Sequence, residues 1–363
     1  MSGHEILIGI MALFALLGGL DRILGNRLGL GKEFEEGILT MGSLALAMVG
    51  IVSLAPVLAG LLKPVVVPVY TFLGADPAMF AGTLLACDMG GGALAMELTA
   101  DRDAALLGGV ITGSMLGATV VFTIPVAMGI LKEEDRPAMA KGILCGIVTI
   151  PVGVLAGGLA AGFPLRMVLK NLVPIVLIAI AIALGLWRAE KAMVKGFTLF
   201  GKLLVTLVTL GLASAIVEAL TGFALIPGMA PISEGFATVG TIAIVLAGAF
   251  PLVYILTKLL RKPLLAFGKL LRINDAAAAG LIASLANSIA AFGMVKDMNE
   301  RGKVVNIAFA VSAAFVFGDH LGFAAGFAPE ILPAMIAGKL AGGITAVAVA
   351  LLLTGKDAKG QKR

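Results

Sequence analysis

The stretch LLACDMGGGALAM, residues 84–96, places Asp88 and three consecutive glycines, Gly90, Gly91 and Gly92, inside an otherwise apolar run. A helix interior disfavours glycine, and a hydrocarbon environment disfavours a carboxylate. Together they predict a helix broken at membrane depth. Such irregular backbone is tolerated in a membrane only where it lines a cavity or is covered by protein.

The rest of the chain argues for the membrane itself. Of 363 residues, 60% are hydrophobic and 13% charged, against about a quarter charged in soluble domains. Uncharged runs cover Gly37–Leu62, Ala104–Leu131, Gly142–Leu165 and Gly235–Thr257, each long enough to cross the hydrocarbon core. The formal charge of +5 sits in short loops between apolar runs, which excludes a nucleic-acid surface. The 48 glycines suit closely packed membrane helices. Cys87 and Cys145 lie inside apolar segments and read as small buried hydrophobes, not a disulfide or a metal site. The first apolar run, Ile6–Leu20, has no basic flank before it and reads as a retained helix.

Crossing helices are expected at 5–20, 39–62, 104–130, 138–161, 164–187, 197–219, 236–258, 304–327 and 330–354. Two broken pieces, 77–98 and 276–297, are expected to be re-entrant hairpins. The fold class is then an all-α polytopic membrane protein of about nine transmembrane helices plus two hairpins. With this assignment the loops alternate in basic residues. One set carries Arg22, Arg27 and Lys32, then Lys132, Arg136 and Lys141, then Arg188, Lys191 and Lys195. It continues through Lys258, Arg261, Lys262, Lys269 and Arg272 to Lys296, Arg301 and Lys303, and on to the basic tail 356–363. The opposite set holds little beyond Lys63, Arg102 and Arg166. The basic set belongs in the cytoplasm, so the N-terminus is expected outside and the C-terminus inside.

The chain also repeats. AGTLLACDMGGGALAM from Ala81 aligns with AGLIASLANSIAAFGM from Ala279, 198 residues on; EEGILTMGS (35–43) and Ser114 meet SEGFATVGT (233–241) and Ser312 at the same spacing. LLKP (61–64) and LDRILG (20–25) have looser counterparts in LLRKP (259–263) and VEALTG (217–222). The halves are 1–161 and 197–355, joined by a linker, 162–196, that holds one crossing. An odd number of crossings per step inverts the second half, the architecture of many secondary transporters.

The hairpin tips are therefore the candidate site. Asp88, with the backbone of Gly90 and Gly91, forms the first, and Asn287 and Ser288 form the second. Asp319 and His320, in FGDHLGF, are the other central ionisable pair. Asp21 and Glu218 lie at helix ends and Glu97 near a hairpin base. Lys296, Arg102 and Lys170 lie near ends, so no fixed cation is expected at the centre. Such a site suits a small cationic or neutral polar ligand, with Phe236, Phe292 and Phe323 as candidate cation–π partners. Neither aspartate stands in an intramembrane aspartyl protease motif, since Cys87 and VFG precede them. A carrier is expected, not an enzyme, with no catalytic residue, metal or cofactor.

The stretch ALFALLGGLDRILGNRLGLGKEFEEGILTMGSLALAMVGIVSLAPVLA (12–59), with CDMGG, LANSI and FGDHLGF, resembles the ethanolamine permeases of the bacterial ethanolamine-utilisation system. The resemblance runs along nearly the whole chain. It departs after CDMGG, where Gly92 and Ala93 replace a bulkier residue and a proline. It implies an inner-membrane carrier of ethanolamine. The reading of the residues agrees on charge, with Asp88 expected to take the ammonium and Asn287 and Ser288 the hydroxyl. Alternatives are a cation-coupled carrier of another small polar solute, in which Asp88 and Asn287 hold Na⁺, and an uncoupled channel. Coupling to H⁺ or Na⁺ and assembly into a homo-oligomer stay open.

Overall fold

Long apolar runs interrupted by glycine and proline dictate helices of very unequal length. A computed structural model describes residues 3–360, and their side chains except those of 260–262, 264, 265, 267 and 356–360. The basic tail 356–363 and the loop cations Arg261 and Lys262 therefore lie outside the described side chains. Every described element is helical. They are α1 (Gly3–Ile23), α2 (Leu30–Phe72), α3 (Met79–Leu84), α4 (Gly92–Leu98), α5 (Arg102–Ala105), α6 (Ile124–Ile130), α7 (Arg136–Ile147), α8 (Ile150–Ala160), α9 (Leu165–Thr221), α10 (Ile232–Leu271), α11 (Asp275–Ala286), α12 (Ser288–Gly293), α13 (Glu300–Ala313), α14 (Asp319–Phe327) and α15 (Leu332–Gly360). Between α5 and α6 the helix widens to π geometry over Leu106–Gly117 and Thr119–Thr123.

Among the described residues, seven helical stretches are long and apolar enough to cross a membrane, not nine. Two expectations account for the difference. The segments 164–187 and 197–219 belong to one helix, α9, of 57 residues. Straight, it would extend about 85 Å, almost three times the hydrocarbon thickness. It is instead kinked at Ala189 (φ −143°, ψ 46°). The bend is sharp enough to pack Met193 onto Gly185, two turns away along the chain. The segment 304–327 is likewise not one helix. It splits into α13 and α14 around 314–318, where Phe315 adopts φ 63°.

Small residues set the packing, because a glycine lets two helix backbones meet. A Cβ at Gly37 would lie 2.5 Å from the Ala247 amide nitrogen, and one at Gly50 would collide with the Val208 carbonyl. Gly37 and Gly50 thus lock α2 against α10 and α9. Gly153 and Gly157 of α8 meet Gly338 and Gly342 of α15, where the Thr149 hydroxyl also donates to the Gly342 carbonyl at 3.2 Å. This seam draws the middle of α15 into the core. Asp21 serves the α1–α2 corner, its carboxylate accepting from Leu28 N–H and Gly31 N–H at 2.9 and 3.0 Å. It is a helix-end group, as expected.

Both broken pieces fold back on themselves. Thr99, after α4, donates its hydroxyl to Asp76, before α3, at 2.9 Å. Asn274, before α11, donates its side-chain amide to the Asp297 carbonyl, beyond α12, at 2.8 Å. The start and end of each piece therefore lie together.

Candidate functional site

The first break sits where the sequence places it. The chain leaves α3 through extended backbone at Leu85 and Ala86, then makes a five-residue π turn, Cys87–Gly91. Gly90 has φ 97°, in the left-handed region that glycine alone enters without strain. A Cβ there would also strike Ile51 Cγ1 at 2.3 Å. The turn closes locally, since Met89 N–H and Gly91 N–H both donate to the Ala86 carbonyl.

The second tip breaks at Asn287, between α11 and α12. Its backbone does not stand free. Phe315 N–H donates to the Ser284 carbonyl at 3.0 Å and Phe317 N–H to the Leu285 carbonyl at 2.8 Å. The unpredicted break at 314–318 is thus pinned to the second tip, and it delivers Asp319 and His320 at the start of α14.

Asp88, Asp319 and His320 come together around one cavity of about 250 Å³. Ser43, Leu44 and Ala47 of α2 form one wall, and the rings of Phe122 and Phe315 another. Those rings meet edge to face with centroids 5.3 Å apart. The cation–π candidates drawn from sequence lie elsewhere. Phe236 is exposed, and Phe292 and Phe323 are buried away from the cavity. Gly90 and Gly91 shape the turn beneath Asp88 without lining the cavity. Asn287 and Ser288 are not part of the lining either. Asn287 is exposed and caps α12, accepting from Ile289 N–H at 2.8 Å. The Ser288 hydroxyl is buried with no hydrogen-bond partner.

One expectation is overturned outright. The centre does contain a cation: Lys339, on α15, is 1% exposed. Its Nζ donates to the Ser114 carbonyl at 2.5 Å and lies 3.0 Å from His320 Nδ1. On the far side of the imidazole, His320 Nε2 lies 3.8 Å from Asp88 Oδ1. Lys339 itself does not line the cavity, so the ionisable groups facing that space are Asp88, Asp319 and His320. A protonated Lys339 can only donate, so in that state His320 Nδ1 accepts and the imidazole hydrogen sits on Nε2, towards Asp88.

Asp319 occupies the first turn of α14, where the positive end of the helix dipole favours a carboxylate. Donor atoms of Cys87, Asp88 and His320 lie within 4.8 Å of one another and could in principle converge on a metal. Lys339 behind the imidazole sets a positive charge against that use. Both cysteines are buried and free.

The profile described as "Ethanolamine utilisation protein, EutH" matches residues 4–353. The chain belongs to this family. It is 59% identical over 362 residues to the "Probable ethanolamine permease EutH" of Listeria monocytogenes serotype 1/2a, covering 100% of this chain and 97% of that protein. It is 53% identical to "Uncharacterized protein YxeR" of Bacillus subtilis, covering 100% and 98%. It is 49% identical to the "Probable ethanolamine permease EutH" of Escherichia coli, covering 98% and 97%. No solved structure matches the chain. EutH relatives named as permeases, together with seven membrane-length apolar helices, make this a bacterial membrane transporter and not an enzyme.

Proposed function

We propose that this protein carries ethanolamine across the bacterial inner membrane and binds the protonated amino-alcohol in the Asp88–Asp319 cavity. The carrying observation is the convergence of two carboxylates from two separate helix breaks on one small cavity walled by aromatic rings. An ammonium placed there meets charge from Asp88 and Asp319 and the faces of Phe122 and Phe315. Lys339 sits behind His320 and does not line the cavity, so the charged side chains that an ammonium would meet directly are carboxylates.

The same reading makes 77–98 and 276–297 re-entrant hairpins, since the ends of each meet. The bend at Ala189 lets α9 cross twice. The basic loops then fall on the cytoplasmic side, with the N-terminus outside and the two halves inverted. Gly90 and Gly91 act by shaping the first tip. Asn287 and Ser288 adjoin the site through the pinned break and are not direct ligands.

Uptake of labelled ethanolamine into proteoliposomes tests the proposal, with competition by choline, glycine and ethylene glycol. Saturable uptake that the zwitterion glycine does not inhibit supports it. Uptake equal to that of empty liposomes would overturn it.

A further inference from the structure

Lys339 is the buried group that ethanolamine binding alone does not require. Its two polar partners differ in kind. The Ser114 carbonyl accepts a hydrogen bond but cannot take a proton, whereas His320 Nδ1 can do both. Lys339 does not touch the cavity and is almost fully enclosed, while His320 lines it. Any proton stored on Lys339 therefore exchanges with the cavity through one imidazole.

Few other ionisable groups surround this pair. Asp88 and Cys87 face it from the first break and Asp319 from α14. The wide helix 106–117 offers the Ser114 carbonyl, and α2 offers Ser43, Leu44 and Ala47. Neither α8 nor Leu106–Gly117 carries an ionisable side chain, and α13 and α7, which also pack on α15, carry theirs at Glu300, Arg301 and Lys303 in the first turn of α13 and at Arg136 and Lys141 of α7. The Phe315 ring packs on the imidazole with centroids 5.3 Å apart. The proton on the Lys339–His320 pair and an ammonium in the cavity therefore compete for the same carboxylate, Asp88, which lies 3.8 Å from His320 Nε2 and lines the cavity.

We propose that Lys339 and His320 form a proton store behind the substrate cavity, and that ethanolamine binding expels its proton, making the carrier an ethanolamine–proton exchanger. The inference rests on the reading that ethanolamine occupies this cavity. The step balances as a tautomer shift. Lys339 Nζ gives a proton to His320 Nδ1 and keeps the electron pair as a neutral amine. The imidazole releases the proton on Nε2 to water in the cavity, ending as the opposite tautomer. One proton leaves for each ammonium that enters, and the empty site reverses the step. Because coupling is reciprocal, protons must weaken ethanolamine binding by the factor by which ethanolamine weakens proton binding.

The test is equilibrium binding of labelled ethanolamine to the purified, detergent-solubilised protein from about pH 6 to about pH 8, where the ligand amine stays protonated. Calorimetry in two buffers of different ionisation enthalpy counts released protons. Wild type is expected to bind more tightly as pH rises, by up to about tenfold per pH unit, and to release close to one proton per ligand. Lys339→Arg, which cannot lose its charge, is expected to bind weakly at every pH. Lys339→Met is expected to bind tightly at every pH. If both variants keep the wild-type slope, the proton comes from Asp88 or Asp319 and the inference falls. Wild-type binding with a flat pH profile and no proton release overturns it without any variant. A wild-type protein that binds no ethanolamine at any pH overturns the functional reading and this inference with it.

Discussion

Replacing Asp88 with asparagine keeps the side chain's shape and its ability to hydrogen-bond, and removes only its charge. A hydrogen bond to a charged group contributes about 1.5–3 kcal/mol, against about 1 kcal/mol for a neutral one. The difference, about 0.5–2 kcal/mol, corresponds to about two- to thirtyfold in affinity, or about tenfold near its middle. Asp319 remains on the same cavity and goes on attracting the ammonium, so the loss stays well below the roughly 4 kcal/mol of a bare ion pair at 4 Å in a partly polar environment. Ligand size sets the starting point. Ethanolamine has four non-hydrogen atoms, and at a ceiling of about 1.5 kcal/mol per atom its best dissociation constant is in the tens of micromolar. Asp88→Asn should therefore bind in the hundreds of micromolar, still within reach of a scintillation-proximity assay. Ethylene glycol, which carries no charge, should compete about equally well against either protein. Unchanged ethanolamine affinity in Asp88→Asn would refute the assignment and make Asp88 a structural group of the hairpin turn. An equal loss for both ligands would point instead to a damaged fold.

Three further outcomes follow from the geometry. Asn287→Ala removes the cap on α12, at a cost of about 1 kcal/mol; thermal unfolding in detergent should show the loss, while ethanolamine affinity stays within about twofold, and a tenfold weaker affinity would return Asn287 to the ligand shell. Gly90→Ala forces a Cβ onto φ 97° and into Ile51, an expected cost of about 1–3 kcal/mol; in a double-mutant cycle it should destabilise an Ile51→Ala background less than the wild type, because the contact is gone and the dihedral is not, and no cost at all in that background would show that φ carries no strain. Cysteines at Glu330 and Arg301, in an otherwise cysteine-free protein, should react with impermeant maleimide from opposite faces of intact cells; labelling from one face would break the proposed topology.

Parts of this arrangement were readable from the chain, for reasons tied to particular residues. Asp88 stands out because a carboxylate beside Gly90–Gly92 has no ordinary place in an apolar run. The break at 314–318 has no such marker. It lacks proline, has only Gly318, and is created by hydrogen bonds to Ser284 and Leu285 some thirty residues earlier. Lys339 was hidden differently. Within AGKLAGG it lies early in the last apolar run, where a lysine normally reaches back to the interface. The glycine seam between α8 and α15 buries it, and that seam is a property of two helices together. Phe122 and Phe315 are indistinguishable in sequence from the other phenylalanines; only the fold picks them out as cavity walls.

The two tips are similar in sequence but differ in how their backbone is satisfied. At the first, the π turn satisfies its backbone locally through the Ala86 carbonyl, so the peptide groups near Asp88 need no partner from elsewhere and the space in front can stay open. At the second, the Ser284 and Leu285 carbonyls accept from Phe315 N–H and Phe317 N–H, so the tip is spent holding the neighbouring break in place. Gly90, with its positive φ, is what permits the local solution, and the second tip has Asn287 and Ser288 at its turn. An unpaired peptide group costs several kcal/mol in hydrocarbon, so the second tip needs a partner strand. The partner it recruits is the segment that starts α14. The pinning of the second tip and the delivery of Asp319 and His320 to the cavity are thus one structural event, which explains why this acid comes from the break at 314–318 and not from the one at Asn287.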